Sequence, residues 1–358
     1  MTRFARRSLL WFALGAVALT AALLVPHAGL PAVSPPLTVA GLGLAAWAAA
    51  GSPRFRGLAF TLWVLTFAAS AWFYPRLYIW PGSDLQPKQL ILPLVQVIMF
   101  GMGVTLSFED FRRVLKMPKP VLVGFVLQYT CMPLLGWLSC EAFALEGEVA
   151  AGLVLIGCCP GGVASNVIAY VARVNVALSV TMTACSTLLA SLITPAAMLL
   201  IAGQYVPIQF GPMMISILKM ILAPVLLGLL ANRYAPRLVD RMGRVLPPIA
   251  MLSICLIIAI TIALARDDLR SVGLALLAAS ACHNAAGYAL GYGGAWVAGL
   301  NRCDCRTVAI EVGLQNGGMA TGLALDVLKS PVAALGAAVF GPWSAVTSSV
   351  LASYWRHR

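Results

Sequence analysis

Gly157-Cys158-Cys159-Pro160-Gly161-Gly162-Val163-Ala164-Ser165-Asn166 interrupts an otherwise apolar segment that runs from Val149 to Ala172. Proline removes a backbone donor and glycine adds chain entropy, so a helix breaks here. At membrane depth such a break leaves N–H and C=O groups without helical partners. Irregular backbone is tolerated there only where it is buried in protein or lines a water-filled cavity. A second interruption stands near the other end, at Glu311-Val312-Gly313-Leu314-Gln315-Asn316-Gly317-Gly318. Paired Gly/Pro-interrupted apolar segments, one in each half of a chain, point to the binding site of a secondary transporter.

The composition supports a membrane setting. The 358 residues are 61% hydrophobic and 10% charged, with a mean hydropathy of +0.91; a soluble domain carries about 25% charged residues. The chain therefore reads as an all-α polytopic membrane protein embedded in a lipid bilayer. Its net charge of +12 is explained by loop topology, so no nucleic-acid partner is expected. The nine cysteines are odd in number and lack zinc spacing, which argues against a disulfide framework or a metal site. Cys303-Asp304-Cys305, the only close cysteine pair in a polar setting, reads as two reduced cytoplasmic thiols.

Twelve apolar segments approach the roughly 20 residues that cross a bilayer. They are Ser8 to Val25, Leu37 to Gly51, Gly57 to Tyr74, Gln89 to Leu106, Pro120 to Cys140 and Val149 to Ala172. Then come Val176 to Ala202, Phe210 to Asn232, Leu246 to Leu264, Ser271 to Leu300, Cys305 to Leu328 and Pro331 to Tyr354. The basic start, Met1 to Arg7, followed by an apolar run, has the look of a signal peptide. The length of that run favours an uncleaved span. With the N-terminus placed in the cytoplasm, eighteen of the 24 Lys and Arg residues fall in cytoplasmic loops, among them Arg54, Arg112, Arg233 and Arg244. Both termini come out cytoplasmic by the positive-inside rule. Removing the first two spans together leaves that asymmetry intact, so those two rest on hydropathy alone.

A trace of repetition follows. Gln128 precedes Pro160 by 32 residues, and His283 precedes Gln315 by the same distance. The expected organisation is a two-span extension over 1–55 and a ten-helix domain over 56–358, with a first repeat 56–205 and a second repeat 206–358. Five spans per half make the second repeat inverted relative to the first, an arrangement found in transporters.

Glu311 is the carboxylate expected at depth, where a charge costs roughly 2.5 kcal/mol or more. It is either part of a functional site or paired with a nearby arginine such as Arg306. Ser165 and Asn166 follow the first break; Ser179 and Thr183, at i and i+4, share one helical face. Hydroxyl and amide oxygens with a single carboxylate suit an alkali cation better than calcium. Unwound carbonyls at Glu311, Val312 and Leu314 add acceptors, and Gln315 and Gln128 complete a second set that shares Glu311. The same polar groups could instead serve as interhelical glue. Half-helices starting after Gly162 and Gly317 direct N–H groups and positive dipole ends inward, toward an anion, and Asn316 is placed to donate. Lys219, within a span, either snorkels or stays near a cavity.

At these residues the chain resembles the bile acid:sodium symporter family, and its bacterial members most. The matching runs are Phe100-Gly-Met-Gly-Val-Thr-Leu, Gly157 to Asn166, Ala177-Leu-Ser-Val-Thr-Met-Thr, His283-Asn-Ala-Ala-Gly-Tyr-Ala-Leu-Gly and Glu311-Val-Gly-Leu-Gln-Asn. They cover about residues 57 to 355. The resemblance implies panel and core domains with two crossing broken helices, and two sodium ions as coupling ions with no cofactor. Carried over by motif, one ion is held by Ser165, Asn166, Ser179, Thr183 and Glu311. The other is held by Gln128, Glu311 and Gln315 with the carbonyls of Val312 and Leu314. An organic anion, bile-acid-like or a small carboxylate such as pantoate, is implied beside the crossing near Gly162, Val163, Asn316, Gly317 and Ser344. Two departures stand out: Val174 occupies a position where the family usually has glycine, and Ser344-Ala345 replaces an expected His-Asn pair. The implied activity is sodium-coupled symport across the inner membrane by alternating access. The alternative is proton-coupled carriage or export with Glu311 titrating. No Ser-His-Asp order, zinc motif or phosphate loop suggests an enzyme. The sequence carries no indication of oligomeric state.

Overall fold

Proline and asparagine set where the helices of this protein begin. Pro118, Pro236 and Pro331 each open a helix, at a position where the missing N–H is no loss. Asn175, Asn301 and Asn316 act as N-caps, their side-chain oxygens accepting from the N–H groups of Leu178, Asp304 and Met319. The computed structural model describes residues 3–24, 31–52, 56–82, 86–162, 164–243 and 245–356. Val25, Arg54, Val163 and Arg244 lie outside the described residues. The fold among the described residues is all-helical, with no strand.

The chain divides into two compact units, Met1–Lys88 with Ile254–Arg266, and Gln89–Ser253 with Asp267–Arg358. The first unit contains α1 (Arg3–Leu24), α2 (Ser34–Gly51) and α3 (Arg56–Phe73). Small residues let α1 and α2 approach closely. A Cβ on Gly15 would lie 3.0 Å from the Gly41 carbonyl oxygen. Arg266 stacks its guanidinium over Trp72, 5.5 Å from the ring centroid.

The second unit holds α4 (Ile91–Gly103), α5 (Phe108–Lys116), α6 (Pro118–Ala142), α7 (Gly147–Cys158), α8 (Ala164–Val171) and α9 (Val176–Ile201). It continues through α10 (Phe210–Ile217), a π-helical turn (Leu218–Leu222), α11 (Ala223–Tyr234) and α12 (Pro236–Met242). The chain then runs through α13 (Leu246–Leu264), whose second half belongs to the first unit, and α14 (Arg266–Val297). Last come α15 (Arg302–Gly313), α16 (Gly317–Asp326) and α17 (Pro331–Arg356).

Among the described residues, α6, α9, α10 through α11, α13 and α17 are long and apolar enough to cross a membrane. A sixth span results if α4 and α5, bent by 62° at their junction, count as one. Shorter apolar stretches lie in α1, α3 and α7. This is a polytopic membrane protein. The two interrupted segments appear as pairs of short helices, α7 with α8 and α15 with α16. Every residue of α7 from Val149 to Cys158 is buried, as a helix apolar on all sides must be. A Cβ on Gly336 of α17 would lie 2.5 Å from the Gly152 carbonyl carbon, so the α7–α17 approach requires small residues.

The connection from α8 to α9 explains the departure at Val174. Arg173, not Val174, adopts the left-handed conformation, with φ of 57°. The Val174 N–H reaches the Ala169 carbonyl at 3.1 Å, and the Arg173 N–H reaches that of Tyr170 at 3.1 Å. This is a Schellman ending, in which the residue after the left-handed one makes an apolar contact. Val174 meets that requirement by packing beside Ile310 and Leu314.

A candidate ion site at the crossing of two broken helices

The two breaks pair with each other. Gly161 and Gln315 form an antiparallel bridge. The Gly162 N–H donates to the Leu314 carbonyl at 2.9 Å, and the Asn316 N–H to the Pro160 carbonyl at 3.0 Å. Backbone that would otherwise be stranded in a low-dielectric interior is thereby satisfied. The glycines make this approach possible. A Cβ on Gly161 would lie 2.7 Å from Glu311 Oε2, and one on Gly162 would lie 2.7 Å from the Gln315 carbonyl oxygen.

Each first half-helix ends on carbonyls that lack intrahelical donors, and side chains from neighbouring helices, joined at the second break by Gln315 itself, supply them. Thr194 Oγ1 of α9 donates to the Cys158 carbonyl at 2.8 Å. Gln128 Nε2 of α6 donates to that of Cys159 at 2.8 Å. At the second break, Asn284 Nδ2 of α14 donates to the Gly313 carbonyl at 2.9 Å, and Gln315 Nε2 to that of Val312 at 2.6 Å. At the second break the capping amide on the neighbouring helix is therefore Asn284 rather than the adjacent His283. The His283 ring bonds through Nε2 to the Met132 carbonyl at 2.9 Å.

Glu311 is 2% exposed and is surrounded by hydroxyls. Ser165 Oγ of α8 donates to Oε1 at 2.5 Å. Ser179 Oγ of α9 donates to the same oxygen, and Thr183 Oγ1 donates to Oε2 at 3.0 Å. Asn166 stands one step removed, its Oδ1 2.8 Å from Ser179 Oγ. The i, i+4 spacing of Ser179 and Thr183 places both hydroxyls on one carboxylate. Arg306 does not pair with Glu311; it stacks over Trp355 at 5.7 Å.

The second residue set meets beside the first. Gln128 Nε2 also donates to Gln315 Oε1, at 2.7 Å. Gln128, Gly161 and Glu311 border a small void of about 10 Å³, close to the volume needed to hold one water molecule. The Leu314 carbonyl faces the Gly162 N–H, so of the two expected carbonyl ligands only that of Val312 is capped by a side chain.

The residues expected near an organic anion divide. Asn316 spends Oδ1 on its own helix and directs Nδ2 toward Met99 Sδ at 3.9 Å, a weak acceptor. The Gly317 N–H bonds to the Gln315 carbonyl at 3.0 Å. Ser344 is buried, and its hydroxyl donates to the Gly341 carbonyl within α17. Lys219 is exposed on the π-helical turn, and its carbonyl accepts from Gln96 at 3.4 Å. The nine cysteines are free thiols. Between Cys303 and Cys305, Asp304 accepts from Asn175 Nδ2 at 2.8 Å and so ties the start of α9 to α15.

Comparison with known proteins identifies the family. Residues 92–271 match the model of the sodium bile acid symporter family. The uncharacterized sodium-dependent transporter YocS of Bacillus subtilis (strain 168) is 36% identical over 302 residues, which cover 84% of this chain and 92% of YocS. The probable sodium/metabolite cotransporter BASS1, chloroplastic, of Oryza sativa subsp. japonica is 37% identical over 304 residues, covering 84% of this chain and 72% of BASS1. The protein is accordingly a transporter rather than an enzyme, and the chain belongs to the sodium bile acid symporter family.

Proposed function

We propose that this protein is a sodium-coupled symporter that moves an organic anion by alternating access. The observation that carries this reading is the convergence of three hydroxyls, from two helices, on the buried carboxylate of Glu311 beside the crossing. A hydroxyl that donates to a carboxylate can turn and offer its lone pairs to a cation in the same place. One sodium ion would take Ser165, Asn166, Ser179, Thr183 and Glu311 as its ligands. A second would take Gln128, Gln315, Glu311 and the Val312 and Leu314 carbonyls. Its entry requires Gln315 Nε2 to leave the Val312 carbonyl, and the void beside Gln128 offers the room. The anion, a small carboxylate or a bile-acid-like molecule, would lie near Gly162, Val163, Asn316, Gly317 and Ser344. Sodium promotes its binding by ordering backbone that both ligands share.

The same reading assigns residues 56–205 and 206–358 to inverted repeats of a ten-helix domain behind a 1–55 extension. The antiparallel meeting of the two breaks supports it, as does the parallel capping by Gln128 and Asn284. The inner membrane of a bacterium, with both termini cytoplasmic, fits the distribution of arginines. Two sodium ions with one monoanion carry one net positive charge inward, and a potential of 100 mV then contributes about 2.3 kcal/mol.

The test is thermal stability of the purified protein in sodium against potassium. A sodium-specific rise in melting temperature that Glu311→Ala abolishes is the expected result. Equal stability in the two salts, with transport that follows a pH gradient, would favour the proton-coupled reading. The absence of any cationic partner for Glu311 among the described ion pairs is the observation on that side.

A further inference from the structure

A large cavity in the second unit lies away from the crossing. It is an open groove of about 1100 Å³ between α5 and the end of α11, lined among others by Phe108, Phe111, Arg112, Leu115, Asn232 and Arg233. Its walls are mostly apolar. Phe108, Phe111 and Leu115 recur at i, i+3 and i+7 on α5, so one face of that helix is hydrophobic. Protein does not cover that face: Phe108 is 47% exposed and Leu115 is 83% exposed. The sharp bend after α4 carries α5 off the direction of the span, and an amphipathic helix of this kind lies in the plane of a membrane interface.

The charge of the groove is unbalanced. On α5, Asp110 is bonded to Arg113 at 2.7 Å and Glu109 to Lys116 at 2.8 Å. Both acids are therefore compensated within the helix. Arg112 and Arg233, the guanidinium groups that line the groove, belong to no ion pair among the described residues. Asn232 fixes the α11 side by donating to the Leu106 carbonyl at 2.8 Å. Two arginines outside any ion pair among the described residues, set above apolar walls, match a molecule with an anionic head and a hydrocarbon body. A small soluble anion would use the arginines and leave Phe108 and Leu115 uncovered.

We propose that this groove is a binding site for an anionic phospholipid, with the phosphate between Arg112 and Arg233 and an acyl chain against Phe108, Phe111 and Leu115. The inference is independent of the sodium site and of the cargo, since no groove residue belongs to either. A basic residue near an anionic headgroup is worth about 1 kcal/mol, so two arginines together give roughly thirtyfold in affinity.

The experiment titrates the purified full-length protein in detergent with phosphatidylglycerol or with phosphatidylcholine, and reads bound lipid by native mass spectrometry and melting temperature. The wild type is expected to retain phosphatidylglycerol preferentially and to melt higher in it. The double variant Arg112→Gln/Arg233→Gln should lose that preference roughly thirtyfold, whereas Arg302→Gln, outside the groove, should keep it. Leu115→Gln should weaken both lipids. Sodium-dependent melting serves as the folding control, because Glu311 is untouched in all of these variants. Equal retention of the two lipids by the wild type would overturn the proposal, as would a preference that survives in the double variant. Displacement of phosphatidylglycerol by pyruvate at equal concentration would assign the groove to a soluble anion. A change in oligomeric mass in the double variant would assign it to a second copy of the chain.

Discussion

Glu311 is the residue on which the polar interior converges. Its carboxylate accepts from Ser165, Ser179 and Thr183 and meets Asn166 only through Ser179. Hydrogen bonds to charged groups are worth about 1.5–3 kcal/mol. Ser165→Ala and Thr183→Val should therefore each weaken the apparent sodium affinity by about tenfold to a hundredfold, measured as the sodium concentration at half-maximal thermal shift. Asn166→Ala should weaken it less; a loss as large as that of Ser165→Ala would show direct ligation by Asn166. These residues were legible in the sequence because a lone carboxylate in apolar surroundings and an i, i+4 hydroxyl pair are local patterns. Thr194 and Asn284 were not. Each caps a carbonyl at a break that lies far along the chain, and no local pattern links a donor to such an acceptor. His283 had the expected spacing, but its neighbour on α14 is the one that reaches the break.

At the level of elements, hydropathy and Pro/Gly placement located both broken helices, since a break in an apolar run is written in composition. The π-helical turn at Leu218–Leu222 and the sharp bend between α4 and α5 have no such signature. The bend follows from Ser107 and Asp110, which form a capping box that starts a new helix. At the end of α8 valine stands at 174, where the family usually has glycine, and the left-handed position is Arg173. A non-glycine residue there costs about 1 kcal/mol or more. Arg173→Gly should relieve part of that and raise the melting temperature by a few degrees, with sodium dependence unchanged. A fall in melting temperature would mean that the arginine side chain stabilises the connection by more than its backbone costs.

On the scale of the whole molecule, the membrane setting follows from bulk composition. Composition alone could not reveal that the second unit brings residues from α6, α8, α9, α14 and α15 together at the crossing. The antiparallel bridge between Gly161 and Gln315 joins a segment near the middle of the chain to one near its end. With the hydroxyls on Glu311 and the link from Gln128 to Gln315, it fastens the two halves without using the connection after Gln204. A gene cut between the codons for Gln204 and Phe210 should therefore yield two fragments that find each other in the membrane. Co-purification of the untagged fragment with a tagged partner, lost on Glu311→Ala combined with Gln128→Ala, would register the crossing as a subunit interface held within one polypeptide.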